Sequence, residues 1–192
     1  MAKRKIVLLD NNDSFTYNIV DYLRGMTEVQ FRVINTHELD IEELDKYDGI
    51  IISPGPELPK DFPKLFEVLQ RYHRTKPILG ICLGHQAIAQ FFGADLSQQL
   101  PVVHGQAVPM QVLRDDSLFS GLPREFRVGL YHSWLVDPKT IPARLVVTAL
   151  SARGVIMAIR VTDLPIWGIQ FHPESHITEH GLKILENFIK LT

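Results

Sequence analysis

The sequence predicts an α/β fold, one domain over residues 1–192, built on a doubly wound, mostly parallel sheet flanked by helices with a small antiparallel addition. Three observations predict it. Up to Gly93, short apolar runs alternate with amphipathic stretches, the β-α-β-α order that yields a parallel sheet covered on both faces. The residues with chemistry to offer follow directly on apolar runs, at the carboxyl ends where ligands bind in such sheets. Beyond Gly93 the pattern changes to a hairpin, a further strand and a closing helix.

Element by element, residues 5–9 form a buried strand ending at Asp10. Asp13 and Ser14 are helix-capping types ahead of an amphipathic stretch over 15–24. Residues 29–34 are strand-like, and 48–52 form a short apolar strand closed by Ser53-Pro54-Gly55-Pro56. Helical spacing runs over 62–72, strand 77–81 follows, and a helix over 85–92 leaves the next turn. Strands over 145–150 and 155–160 flank Ser151-Ala152-Arg153-Gly154, and 166–171 is another strand. Thr178 is the expected N-cap of a last helix over 179–189, with Leu182, Leu185, Phe188 and Ile189 on one face.

Composition narrows the function. With 45% hydrophobic and 22% charged residues the chain is ordinary for a globular protein. A net charge of −2 argues against nucleic acid and against attraction to a membrane surface. No apolar run approaches the ~18 residues of a membrane span. Met1-Ala2-Lys3-Arg4-Lys5 is basic, but the apolar run after it stops at Asp10, too short for a signal-peptide core. The basic start reads as a solvated terminus. One cysteine excludes an internal disulfide framework and fits a reducing, cytoplasmic setting.

That cysteine, Cys82, stands in Gly80-Ile81-Cys82-Leu83-Gly84, between a strand and a helix. The pattern is the thiol counterpart of the nucleophile elbow, whose glycines leave room for a tight turn. A helix starting beyond the sulfur points free N–H groups and positive dipole at it, favouring thiolate. The alternative is a small buried hydrophobe. A catalytic thiol needs a base, and His172 in Gln170-Phe171-His172-Pro173-Glu174-Ser175 follows a strand to the same rim. In an extended segment Glu174 falls on the same side as His172 and can orient the imidazole; the alternative is a turn with a solvated acid. Oxyanion donors are available from the N–H of Leu83 and of Gly55, since neither flanking proline has one, although Ser53–Pro56 also reads as a plain turn.

Taken together, Gly80-Ile81-Cys82-Leu83-Gly84-His85-Gln86, Ser53-Pro54-Gly55-Pro56 and Gly168-Ile169-Gln170-Phe171-His172-Pro173-Glu174 resemble the class I (triad) glutamine amidotransferases, in that family's order. The resemblance implies that Cys82 attacks the side-chain amide of L-glutamine while His172, oriented by Glu174, moves the proton. It implies Gly55 and Leu83 as oxyanion donors, and Gly55, Pro56, Glu57, Gln86, Ser133 and Trp134 around the substrate. Asp10-Asn11-Asn12-Asp13-Ser14-Phe15-Thr16-Tyr17-Asn18, Val103-His104-Gly105 and Tyr131-His132-Ser133 are similar to amidotransferase subunits of chorismate-using synthases. Those make anthranilate, for tryptophan, or 4-amino-4-deoxychorismate, for folate. A separate chorismate-binding subunit using Mg2+ is thereby implied as hetero-oligomeric partner, with no metal or cofactor in this chain. Four positions depart from the pattern: Asn12 for tyrosine, Glu57 for glycine, Trp134 for leucine and Gln106 for lysine.

Other patterns carry less. His176-Ile177-Thr178-Glu179-His180 matches the H-x-x-E-H string of zinc peptidases, but a cap at Thr178 leaves His176 off the helix. Asp115-Asp116 reads as an exposed turn. Two competing functions remain: an amidotransferase for GMP or carbamoyl phosphate synthesis, which leaves residues 10–18 unexplained, and a non-catalytic regulatory subunit on the same fold.

Overall fold

The computed structural model describes residues 3–98 and 104–192; Met1, Ala2 and Val103 of the stretches above lie outside them. A nine-stranded sheet runs through the molecule in the order β2-β1-β3-β4-β11-β10-β9-β6-β7. Its first five members are β2 (Val29–Asn35), β1 (Arg4–Asp10), β3 (Gly49–Ile52), β4 (Ile78–Ile81) and β11 (Ile166–Ile169), all mutually parallel. The antiparallel addition continues it with β10 (Ile156–Val161), β9 (Leu145–Ser151), β6 (Gln106–Val112) and β7 (Glu125–Leu130). A separate ladder pairs β5 (Leu96–Gln98) with β8 (Trp134–Val136). Sequence periodicity does not single out β5 to β8. Of these, β6 carries Pro109 and alternates weakly, while β5 and β8 are three residues each.

Alternation along β1 divides the core. Ile6 and Leu8 face α1 (Thr16–Gly25) and α4 (Gly181–Lys190), packing in one cluster with Ile19, Leu23, Ile184 and Phe188. Val7 and Leu9 face the other way, onto Leu65 and Leu69 of α2 (Pro63–Tyr72) and Ala87 and Ile88 of α3 (Leu83–Phe91). Burial on both faces explains why these strands read as unbroken apolar runs. Among the described residues no helix is long and apolar enough to cross a membrane.

Several local expectations are corrected. Asp13 accepts the N–H of Phe15 one step before α1, and the helix begins at Thr16 behind Phe15 with no side-chain cap. Helix α3 starts at Leu83, two residues earlier than periodicity suggests, because the turn occupies Cys82 alone. Thr178 does not cap α4: the helix begins at Gly181 after His180 in a left-handed conformation (φ 61°). Leu182 is 42% exposed, so the buried stripe of α4 runs through Ile184, Leu185, Phe188 and Ile189. Asp115 is exposed, but the Asp116 side chain is fully buried, accepting the Leu118 N–H at 2.8 Å, and burial raises its pKa.

Candidate active site

The carboxyl ends of β1, β3, β4 and β11 meet along one rim, and the elbow stands at its centre. Cys82 has φ 51° and ψ −99°, a conformation L side chains rarely adopt and one that costs about 1–3 kcal/mol. The fold holds it there by close approach. A Cβ on Gly80 would lie 2.4 Å from the Gly84 carbonyl, and one on Gly84 would lie 2.6 Å from the Ile52 carbonyl oxygen. The Cys82 N–H donates to the Ile169 carbonyl at 2.8 Å and its carbonyl accepts from Gln86 at 3.0 Å. The sulfur therefore leaves the end of β4 at the N-terminus of α3, where first-turn N–H groups have no helical partner.

His172 lines the same cleft and is 2% exposed. Its Nδ1 stands 2.7 Å from Glu174 Oε1, and the Glu174 side chain is fully buried. The acid is therefore not solvated. The segment is not extended either: the Ser175 N–H donates to the His172 carbonyl at 3.2 Å, closing a β-turn with Pro173 at the position that favours proline. Distant residues hold the histidine. Its N–H donates to the Gly129 carbonyl, and Thr178 Oγ donates to its carbonyl at 2.6 Å while accepting the Gly129 N–H. Phe15 and Tyr131 stand edge-on to the ring at 4.9 and 5.0 Å, with the Tyr131 hydroxyl 2.9 Å from Ser175 Oγ. Burial alone would lower the His172 pKa. The Glu174 carboxylate and the Cys82 side chain outweigh it and hold the imidazole well above its ordinary value. Nε2 makes no hydrogen bond among the described residues, so its proton or lone pair is available.

The cleft has a volume of about 740 Å³ and brings together Gly55, Pro56, Glu57, Cys82, Gln86, Ser133, Trp134 and His172. Leu83 is the first residue of α3, and its side chain stands 3.1 Å from where a Gly55 Cβ would be. The two expected oxyanion donors thus sit in adjoining segments. The Gly55 turn is anchored through Asn11: its amide donates to the Ser53 carbonyl at 2.9 Å, its N–H to Ser53 Oγ at 3.0 Å, and Thr36 Oγ donates to its Oδ1 at 2.7 Å. Asn12 has φ 60°, a region asparagine tolerates better than tyrosine, and accepts from the Asn35 amide at 2.7 Å. Glu57 is exposed at the cleft wall.

Several residues of this site are not apparent from the sequence. Gln170, fully buried, donates its amide N–H toward Cys82 Sγ at 3.6 Å. Tyr131 and His132 belong to a family-like stretch that assigns them no role, and Thr178 reads there as a cap. Burial, aided by repulsion from His172, lowers the His132 pKa to about 4. His85 lies beneath the elbow against Gly168, and burial lowers its pKa to about 3. Only the position of Gln170, two residues before His172, carries a signal in the sequence itself. His176 is exposed, and the His180 ring packs edge-on against Phe126, both ahead of α4. Among the described residues no three His, Cys, Asp or Glu side chains form a group that could hold a metal.

Residues 7–191 match the family model described as glutamine amidotransferase class-I. A Haemophilus influenzae protein named as a candidate anthranilate synthase component II is 43% identical over 187 residues, 97% of this chain and 96% of its own. The aminodeoxychorismate/anthranilate synthase component 2 of Bacillus subtilis is 41% identical, over 96% of this chain and 95% of its own. Among solved structures, a Thermoplasma acidophilum protein described as a candidate GMP synthase component superposes with a TM-score of 0.89 at 30% identity, over 100% of this chain and 94% of that one. A strained cysteine elbow, a buried His–Glu pair and a match over nearly the whole length agree: the chain belongs to the class-I glutamine amidotransferase family.

Proposed function

We propose that this chain is the glutamine-hydrolysing subunit of a chorismate-using synthase, with residues 1–192 acting as one amidotransferase unit. The observation that carries the reading is His172, lining one cleft with Cys82 and backed at 2.7 Å by the buried Glu174. Cys82 attacks the side-chain carbonyl carbon of L-glutamine and its thiol proton passes to His172. The N–H groups of Gly55 and Leu83 receive the developing oxyanion. His172 then protonates the leaving nitrogen and ammonia departs, leaving a γ-glutamyl thioester. Water, deprotonated by His172, attacks the thioester; glutamate leaves and the thiol is restored. Glu174 keeps Nδ1 protonated throughout and stabilises the imidazolium.

Pro56, Glu57, Gln86, Ser133 and Trp134 line the cleft beside Gly55, a placement that supports their role in holding glutamine. The chorismate assignment rests on residues 10–18 and on the names of the relatives at 41–43% identity. A partner subunit that binds chorismate with Mg2+ would receive the ammonia, in the cytoplasm, with no cofactor in this chain. The likeness to a GMP synthase component favours a second reading, ammonia supply to a nucleotide synthase, at the lower identity of 30%. The test is the complex of Cys82→Ala with its partner. Glutamate release from glutamine should vanish while ammonium salts still support aromatic product from chorismate. Glutamine hydrolysis at the normal rate would refute the mechanism, and a complex that leaves chorismate untouched would refute the pathway.

A further inference from the structure

The buried amides behind the nucleophile form a chain of fixed polarity. Strands β4 and β11 pair in register with Ile81 opposite Ile169, so the next residues, Cys82 and Gln170, come side by side. Gln170 Nε2 lies 3.6 Å from Cys82 Sγ. Gln86, 3% exposed on the first turn of α3, directs its Nε2 to the Trp134 carbonyl at 2.9 Å and to Gln170 Oε1 at 3.3 Å. A backbone carbonyl only accepts, so it fixes which end of the Gln86 amide faces β8. That nitrogen then fixes the oxygen of Gln170, and the Gln170 NH₂ has one remaining direction, the sulfur. Neither amide can flip without setting two acceptors or two donors face to face, and at the buried Gln86–Gln170 contact an unpaired polar group is costly.

The geometry points to Gln170 as an N–H donor that holds and stabilises the nucleophilic sulfur, and to Gln86 as the positioning residue that aims it, anchored on the Trp134 carbonyl in the cleft wall. Both protons of Gln86 Nε2 are committed inward, which leaves its carbonyl oxygen as the only end free for a ligand. The two side chains thus form a relay from the Trp134 carbonyl of β8 to the sulfur. This rests on Cys82 being the nucleophile.

The test uses the full chain and iodoacetamide, which reads thiol reactivity without needing glutamine. Cys82 is the sole cysteine, so mass spectrometry counts one site. Gln170→Met keeps the length and removes the donor; alkylation at neutral pH should slow about tenfold, and kcat should fall with KM little changed. Gln170→Glu, of the same shape but with an acceptor facing the sulfur, should be slower still. Gln86→Met leaves Gln170 in place but unaimed, and should slow alkylation about threefold. Wild-type alkylation in a folded Gln170→Met chain overturns the proposal. If that variant does not fold, Gln86→Met decides: a raised KM with unchanged alkylation makes Gln86 a substrate contact alone and refutes the relay. Glutamine hydrolysis persisting in Cys82→Ala would instead refute the underlying reading of the nucleophile.

Discussion

Replacing Glu174 by glutamine removes one charge from a buried pair and leaves its shape. The pair is 2.7 Å apart with side chains 3% and 0% exposed, so bulk water screens it little. Unit charges about 4 Å apart at an effective dielectric of about 20 attract by about 4 kcal/mol. The glutamine carbonyl still accepts the Nδ1 proton and keeps part of this, leaving a loss of about 3 kcal/mol in stabilising the imidazolium. At 1.36 kcal/mol per tenfold, kcat for glutamate release should fall about a hundredfold. The His172 pKa should also drop from above its ordinary value, since burial would then act with less opposition. The assay is glutamate release by the complex with its partner at saturating glutamine, with ammonium-dependent synthesis as control. A kcat within threefold of wild type, in a variant of unchanged melting temperature, would refute the assignment of Glu174 as the charge behind the base.

Further outcomes follow from the same geometry. Gly80→Ala places a methyl 2.4 Å from backbone that cannot yield, so a cost of about 3 kcal/mol and a melting temperature lower by about 6–12 °C are expected in thermal unfolding. His85 and His132 are lowered to about 3 and about 4. At pH 4.5 each has forgone protonation over about two units below its unfolded value, so stability by urea denaturation should fall by up to about 5 kcal/mol between pH 7 and pH 4.5. His172 has the opposite sign: its raised pKa adds stability that is complete below pH 6.5 and is lost as pH rises through the folded value, so it does not mask the acid loss. Phe15→Ala removes one of two rings edge-on to His172 and should lower kcat about threefold to tenfold with little change in KM, measured by steady-state glutaminase kinetics.

The parallel half of the fold is legible in the sequence because its strands are buried on both faces and its turns carry glycine and proline. The elbow is legible for a related reason: glycines at 80 and 84 announce a close approach that the structure confirms atom by atom. What sequence spacing misses depends on pairing across long separations. Tyr131 reaches Ser175 over 44 residues and Gln86 reaches Gln170 over 84, and no local pattern encodes either. Thr178 shows how a local rule misleads. Its hydroxyl sits just ahead of a helix and resembles a cap, yet it is drawn to the His172 carbonyl and the Gly129 N–H, which lie in the same corner. Leu182 errs the other way, an apolar residue on the edge of a stripe already filled by Ile184, Leu185 and Phe188.

The placement of the proposed base and nucleophile follows from where the two kinds of pairing meet. Strand β11 is parallel to β4 on one side and antiparallel to β10 on the other, so it alone joins the two regions of the sheet. Cys82 leaves the parallel side at the end of β4. Gln170 and His172 leave β11 itself, and the residues that lock His172 in place, Gly129, Tyr131 and Thr178, come from the antiparallel side and the turn before α4. The sulfur is thus strained by the parallel half of the molecule, while the backbone of the imidazole's residue is held by the antiparallel half, with Phe15 of the parallel half against its ring. A small shift across the β4–β11 seam changes their separation directly, whereas a shift elsewhere moves both together. Substitutions that loosen this seam should therefore lower kcat more than they lower stability, and those in the outer strands β2 or β7 should do the reverse.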